Sequence, residues 1–203
     1  MAEEDHRKPA AVGVWEHNGW AVFVTIGVEV GEPLILDRRR VELLSPGLPS
    51  QPYHHETMKM PAAEAQVLVN QVRADAIVQA KSGIEKLFDD LDLNTWRLDI
   101  LTVREPAIAA LPAKISEVHT NQRALYAADG MIYHDALVAA ATERQMDVVL
   151  FHKNDVLQIC CDRLDCGADE LEEILLQFGK DVGSPWQKEH QMAAAAAIDA
   201  LFR

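Results

Sequence analysis

Cysteine is scarce and its count is odd. Only Cys160, Cys161 and Cys166 occur, and three thiols do not build a disulfide framework. No second Cys/His pair stands at zinc-finger spacing, so the three read as small buried residues on a helix. Long apolar runs are missing as well. No stretch approaches the roughly 20 residues that a spanning helix needs. There is no Gly-rich phosphate loop and no GxSxG elbow, which argues against a P-loop ATPase and against a nucleophile-elbow hydrolase. Basic residues are in deficit, 19 Lys and Arg against 32 Asp and Glu, for a net charge of -13. Such a surface repels polyanions on average and disfavours broad nucleic-acid binding, which relies on Lys and Arg to neutralise phosphates. Divalent cations bound to local carboxylates can still offset that repulsion. The opening MAEEDHRKPAA has the character of neither a signal nor a transit peptide, so the expected location is cytoplasmic, with no membrane contact.

What is present suits one folded domain. The chain has 203 residues, 49% of them hydrophobic and 25% charged, enough to bury a core. Residues 1–10 read as a disordered tail and 11–203 as the domain. Three strand candidates come first: Ala11–Glu16, Trp20–Val30 and Pro33–Leu44. Asn18-Gly19 between the first two is a hairpin signal, and Gly31 makes the second link equally tight. The stretch from Leu44 to Met60 is rich in Pro, Ser and His and reads as a long loop. From Pro61 a helix runs to about Leu91, because Val69, Val72, Ala76, Ala80, Ile84 and Leu87 recur on one face, and Gly83 marks a point where it can bend. Trp96–Val103 is a fourth strand, and irregular chain follows to about Lys114. Helices are expected across Asn121–Ala128 and Ala136–Gln145, and a fifth strand across Asp147–His152. Asn154 or Asp155 can cap the next helix, which Gly167 interrupts. Asp169 with Glu172 has capping-box spacing for a helix that Gly179 ends. Pro185-Trp186 opens a last helix through Leu201, whose run Ala193–Ala197 implies close packing. The fold class is therefore α/β, a five-stranded mixed sheet of order β-β-β-α-β-α-β-α with additional C-terminal helices.

This order resembles the ribonuclease H-like fold, in particular its Holliday-junction resolvase (RuvC-like) branch. VGVWEHNGWAVF resembles the first hairpin of that branch, in which a strand ends in an acid, turns through glycine and resumes with an aromatic. DELEEILLQFGKDVGSPWQKEHQMAAAAAIDAL resembles its closing helix pair. The chain is also similar to a set of bacterial proteins of no assigned activity, through LDRRRVEL, the PYH loop and the residues before the last helix. The resemblance implies a carboxylate cluster that holds Mg²⁺ or Mn²⁺ for phosphodiester hydrolysis. Carried over by position, its members are Glu16, Glu105 and Glu189, with Glu64 a fourth, and His190 is placed to orient water or assist proton transfer. Two departures stand out. The first acid is glutamate instead of aspartate, and the closing helix lacks the second acid of the pattern, since His190, Gln191 and Met192 follow Glu189.

Arg38 and Arg40 share one face of the third strand and form a candidate anion-binding pair, or the charged edge of a sheet. His54 and His55 lie in the long loop without a third zinc ligand near them in sequence. Two readings follow. One is a non-catalytic protein of this fold with a degenerate metal site, working as an interaction or scaffold protein. The other is a divalent-metal nuclease. The missing acid and the negative charge favour the first. No partner is specified, and a homo-oligomer is compatible with either reading.

Overall fold

The computed structural model describes residues 6–203. Residues 1–5 of the expected tail lie outside the described residues. The end of that tail is ordered: strand β1 (Lys8–His17) begins inside it, and Lys8, Pro9 and Ala10 pair with Trp96, Arg97 and Leu98.

β1, β2 (Trp20–Glu29) and β3 (Glu32–Glu42) form an antiparallel meander. Its second turn is centred on Val30 and Gly31, both at positive φ. After a loop with a short 3₁₀ turn at Thr57–Lys59 come α1 (Ala62–Asp90) and β4 (Trp96–Arg104). Asp129 pins the loop by accepting from the backbone N–H of Tyr53 at 2.9 Å and pairing with His54 at 2.9 Å. α2 (Ile115–Thr120), α3 (Gln122–Glu143) and β5 (Asp147–Phe151) follow. The chain closes with α4 (Val156–Leu164), α5 (Ala168–Val182) and α6 (Lys188–Leu201). The sheet order is β3-β2-β1-β4-β5, with β1, β4 and β5 parallel.

Alternation along the strands sorts the core into two layers. Ala10, Val12, Val14 and Phe23 pack with α1 and α3; Ala11, Val22, Val24 and Ile26 pack with α4, α5 and α6. The alanine run lets α6 lie directly on β1. A Cβ on Gly13 would stand 1.8 Å from the Ala193 carbonyl oxygen.

Several local expectations change. The two helices expected on either side of Gly130 are one helix, α3, capped by the Asn121 side chain, which accepts from Ala124 N–H at 3.1 Å. Gly83 does not end or divide α1. A Cβ there would stand 2.3 Å from the Val41 side chain, so helix and strand are in close contact. α5 begins after Gly167 without the Asp169–Glu172 box and runs past Gly179 to Val182, where Gly183 takes the positive φ that ends it. Gly179 makes room for the Trp186 ring.

Candidate functional site

β1, β4 and β5 all end at one edge of the sheet, and a cavity of about 540 Å³ opens there against one face of α3. The strand ends contribute Glu16, Arg104, Glu105 and His152. The helix contributes Tyr126, Ala127, Gly130, Met131 and His134, which recur at helical spacing on the face turned to the cavity. Lys153 and Asn154 close one side.

Glu16 is 7% exposed and sits where the sequence places an acid, at the tip of β1. A cation already holds it. Arg104 donates from Nη2 to Glu16 Oε1 at 2.9 Å and to the Glu16 carbonyl oxygen at 3.0 Å, and from Nε to Oε1 at 3.1 Å. The same guanidinium stacks on Trp15, 4.4 Å from the ring centroid. Glu16 Oε2 is buried and has no hydrogen-bond partner among the described residues. Glu105 also lines the cavity, where its carboxylate touches the His152 ring nitrogen Nε2.

The other candidates lie elsewhere. Glu16 alternates with Val12 and Val14, which pack on the α1–α3 layer, while Glu189 begins α6 on the opposite layer. Glu189 acts electrostatically on two histidines, His17, which alternates onto the α6 side, and His190. Glu64 is exposed in the first turn of α1 and does not line the cavity. Among the described residues no three His, Cys, Asp or Glu side chains stand together as a metal-binding group. The donor set therefore does not fit the two-cation arrangement that the resemblance implies, and the charge facing Glu16 is a guanidinium.

His190 has a structural task. It is buried, and its Nδ1 accepts from the Gln187 backbone N–H at 3.1 Å while Gln187 caps the helix in return. Burial lowers its pKa below the usual histidine value, partly opposed by Glu189. The arginine pair of β3 is also engaged. Arg38 donates to the Val182, Gly183 and Ser184 carbonyls at 3.3–3.4 Å, at the end of α5. Arg40 pairs with Glu42 at 2.6 Å and lies over Trp20 at 3.9 Å. These contacts use the two cations inside the protein's own architecture.

The residues that sequence reasoning passed over are Arg104, Tyr126, Gly130, His134 and Lys153. The signal for the helical ones is their three-and-four spacing, which the expected helices Asn121–Ala128 and Ala136–Gln145 leave broken.

A meander of three strands followed by two parallel strands, with helices on both faces, is the ribonuclease H-like sheet, and the cavity lies at its carboxyl edge. The comparison with solved structures bears out the resolvase-like arrangement of that fold. The chain is similar to the Thermus thermophilus RuvC structure, with 15% identity, 95% of this chain and 93% of that chain covered, and a TM-score of 0.50. A T. thermophilus RuvC in complex with a Holliday junction substrate aligns over 95% of this chain and 92% of that one, at 16% identity and a TM-score of 0.47. An Aquifex aeolicus member of the Ppx/GppA family aligns over 76% of this chain and 39% of that one, at 11% identity and a TM-score of 0.33. No protein-family profile and no curated protein matches the sequence. Among the described residues no helix is long and apolar enough to cross a membrane.

Proposed function

We propose that this chain is a non-catalytic ribonuclease H-like protein that uses the carboxyl-edge cavity for binding and works as an interaction protein. The observation that carries this reading is the Arg104 guanidinium clasped to Glu16. An arginine is always charged and cannot leave a site as an exchangeable ion does. It neutralises the acid at the strand tip and competes with any divalent cation for the same oxygen. The separation of Glu189 onto the opposite layer supports the same reading.

The alternative, a Mg²⁺- or Mn²⁺-dependent nuclease, draws on one observation: Glu16 and Glu105 line a single cavity. Two carboxylates can hold one cation if Arg104 and His152 swing away. The test is a thermal melt with and without millimolar Mn²⁺ or Mg²⁺, beside a cleavage assay on four-way-junction and single-stranded DNA. The expected result is no specific shift and no cleavage. A Mn²⁺-dependent rise in Tm that disappears in Glu16→Gln, together with metal-dependent cleavage, would establish the nuclease instead.

A further inference from the structure

Three features of the cavity wall carry a cost that no protein contact offsets. Gly130 stands in the interior of the 22-residue helix α3, where glycine is less favourable than alanine. No packing constraint demands it, since a Cβ at Gly130 would meet nothing within 4 Å. The absent side chain keeps open space beside Tyr126, which is 71% exposed one turn earlier on the same face. One turn later His134 is only 8% exposed, and its Nδ1 has no hydrogen-bond partner among the described residues. The third feature is the unpartnered Oε2 of Glu16. Buried polar atoms left unsatisfied are destabilising, because they lose their hydration without a replacement.

Two cations, Arg104 and Lys153, line this space beside two carboxylates, Glu16 and Glu105. Glu105 is paired with His152, and Glu16 is paired with Arg104 through the arginine's Nε and Nη2. Those bonds leave the Nη1 amino group of Arg104 out of the clasp. Because the clasp and the Trp15 ring fix the guanidinium plane, that remaining edge is pre-oriented, which lowers the entropy lost on binding an anion. Lys153 adds an exposed ammonium on the same cavity wall. Fixed cations against a flat, largely apolar helix face suit a ligand with a charged end and a ring.

We infer that the cavity binds a small aromatic anion. Its carboxylate or phosphate group sits at Arg104 and Lys153, and its ring lies in the space that Gly130 leaves beside Tyr126. Glu16 is then a positioning residue, acting through Arg104. This rests on the reading that a guanidinium, and not a metal, serves the strand tip.

The test uses the full chain with benzoate, phenyl phosphate and benzamide as single-ring probes, in metal-free buffer, read by saturation-transfer NMR and calorimetry. The expected result is binding of one or both anions and at least about tenfold weaker binding of benzamide, which keeps the ring and lacks the charge. Preference between benzoate and phenyl phosphate identifies the anionic group. Lys153→Ala weakens the anions and leaves benzamide unchanged. Gly130→Leu fills the space and abolishes binding while Tm stays the same or rises. Absence of anion binding in the wild-type chain, or binding unaffected by Gly130→Leu, overturns the inference. Failure of the underlying reading gives a different pattern: Mn²⁺ raises the Tm through Glu16, and anions bind only when the metal is present.

Discussion

Val30 is a β-branched residue at φ 53 and 98% exposed, with nothing to offset its backbone strain through packing. Left-handed backbone costs an L-residue roughly 1–2 kcal/mol, and asparagine tolerates it better. Val30→Asn creates an Asn-Gly turn and is expected to stabilise the protein by about 0.5–1 kcal/mol, measured as a raised midpoint in urea. A lowered midpoint would show that Val30 has a packing role. Arg104 is the opposite kind of residue, bound by several contacts at once. Arg104→Met leaves the Glu16 carboxylate buried without its cation, at an expected cost of about 2–4 kcal/mol. Adding Glu16→Gln removes the stranded charge and is expected to recover part of that loss. A double variant no more stable than Arg104→Met would place the loss in the Trp15 stacking.

The last helix shows how one element combines packing with a titratable cap. Its alanines bring it onto the backbone of β1, so Gly13→Ala drives a methyl into the Ala193 carbonyl. The expected destabilisation is about 3 kcal/mol, at the upper end for overpacking, with a matching fall in Tm. An unchanged Tm would mean that α6 can slide on the sheet. The cap at its start requires a neutral His190, because Nδ1 must accept a hydrogen bond. His190 and His17 both have pKa values lowered by burial from 6.5. The folded state then binds fewer protons than the unfolded one, so their contribution is complete above 6.5 and declines as pH falls towards the folded values. Tm is expected to drop as pH falls below 6.5. His190→Gln, which keeps a capping-box residue at this position, should drop less. An identical pH profile for both proteins would show that the cap does not titrate.

At the scale of the whole molecule, the sheet needs both layers. Ala11, Val22, Val24 and Ile26 are buried beneath the C-terminal helices, and a chain truncated at Gly183 would expose them. The expected outcome is loss of cooperative thermal unfolding; a sharp transition in the truncated chain would show that the sheet holds together without α6. The same layering decides the chemistry of the site. Glu16 lines the cavity on the α3 side, and Glu189 lies in the first turn of a helix of the other layer. With a net charge of -13, the cations at the carboxyl edge act over a short screened range, about 8–10 Å at physiological salt.

The sequence by itself determined the meander, the long helix, the five strands and the alanine contact. Asn18-Gly19, Gly31, the face from Val69 to Leu87 and the run Ala193–Ala197 are local signals, legible within a turn or a few turns of chain. It also located the acids on their elements, with Glu16 at a strand tip and Glu189 in the first turn of a helix. Only the tertiary structure decided which of those acids share a space. Strand parity turns Glu16 towards α3 and His17 towards α6, and one residue of register separates the two outcomes. The partner of Glu16 is Arg104, 88 residues away, brought alongside by the parallel pairing of β1 with β4. No local pattern carries such a pairing, because the energy that selects it is the burial of two layers spread over the whole chain.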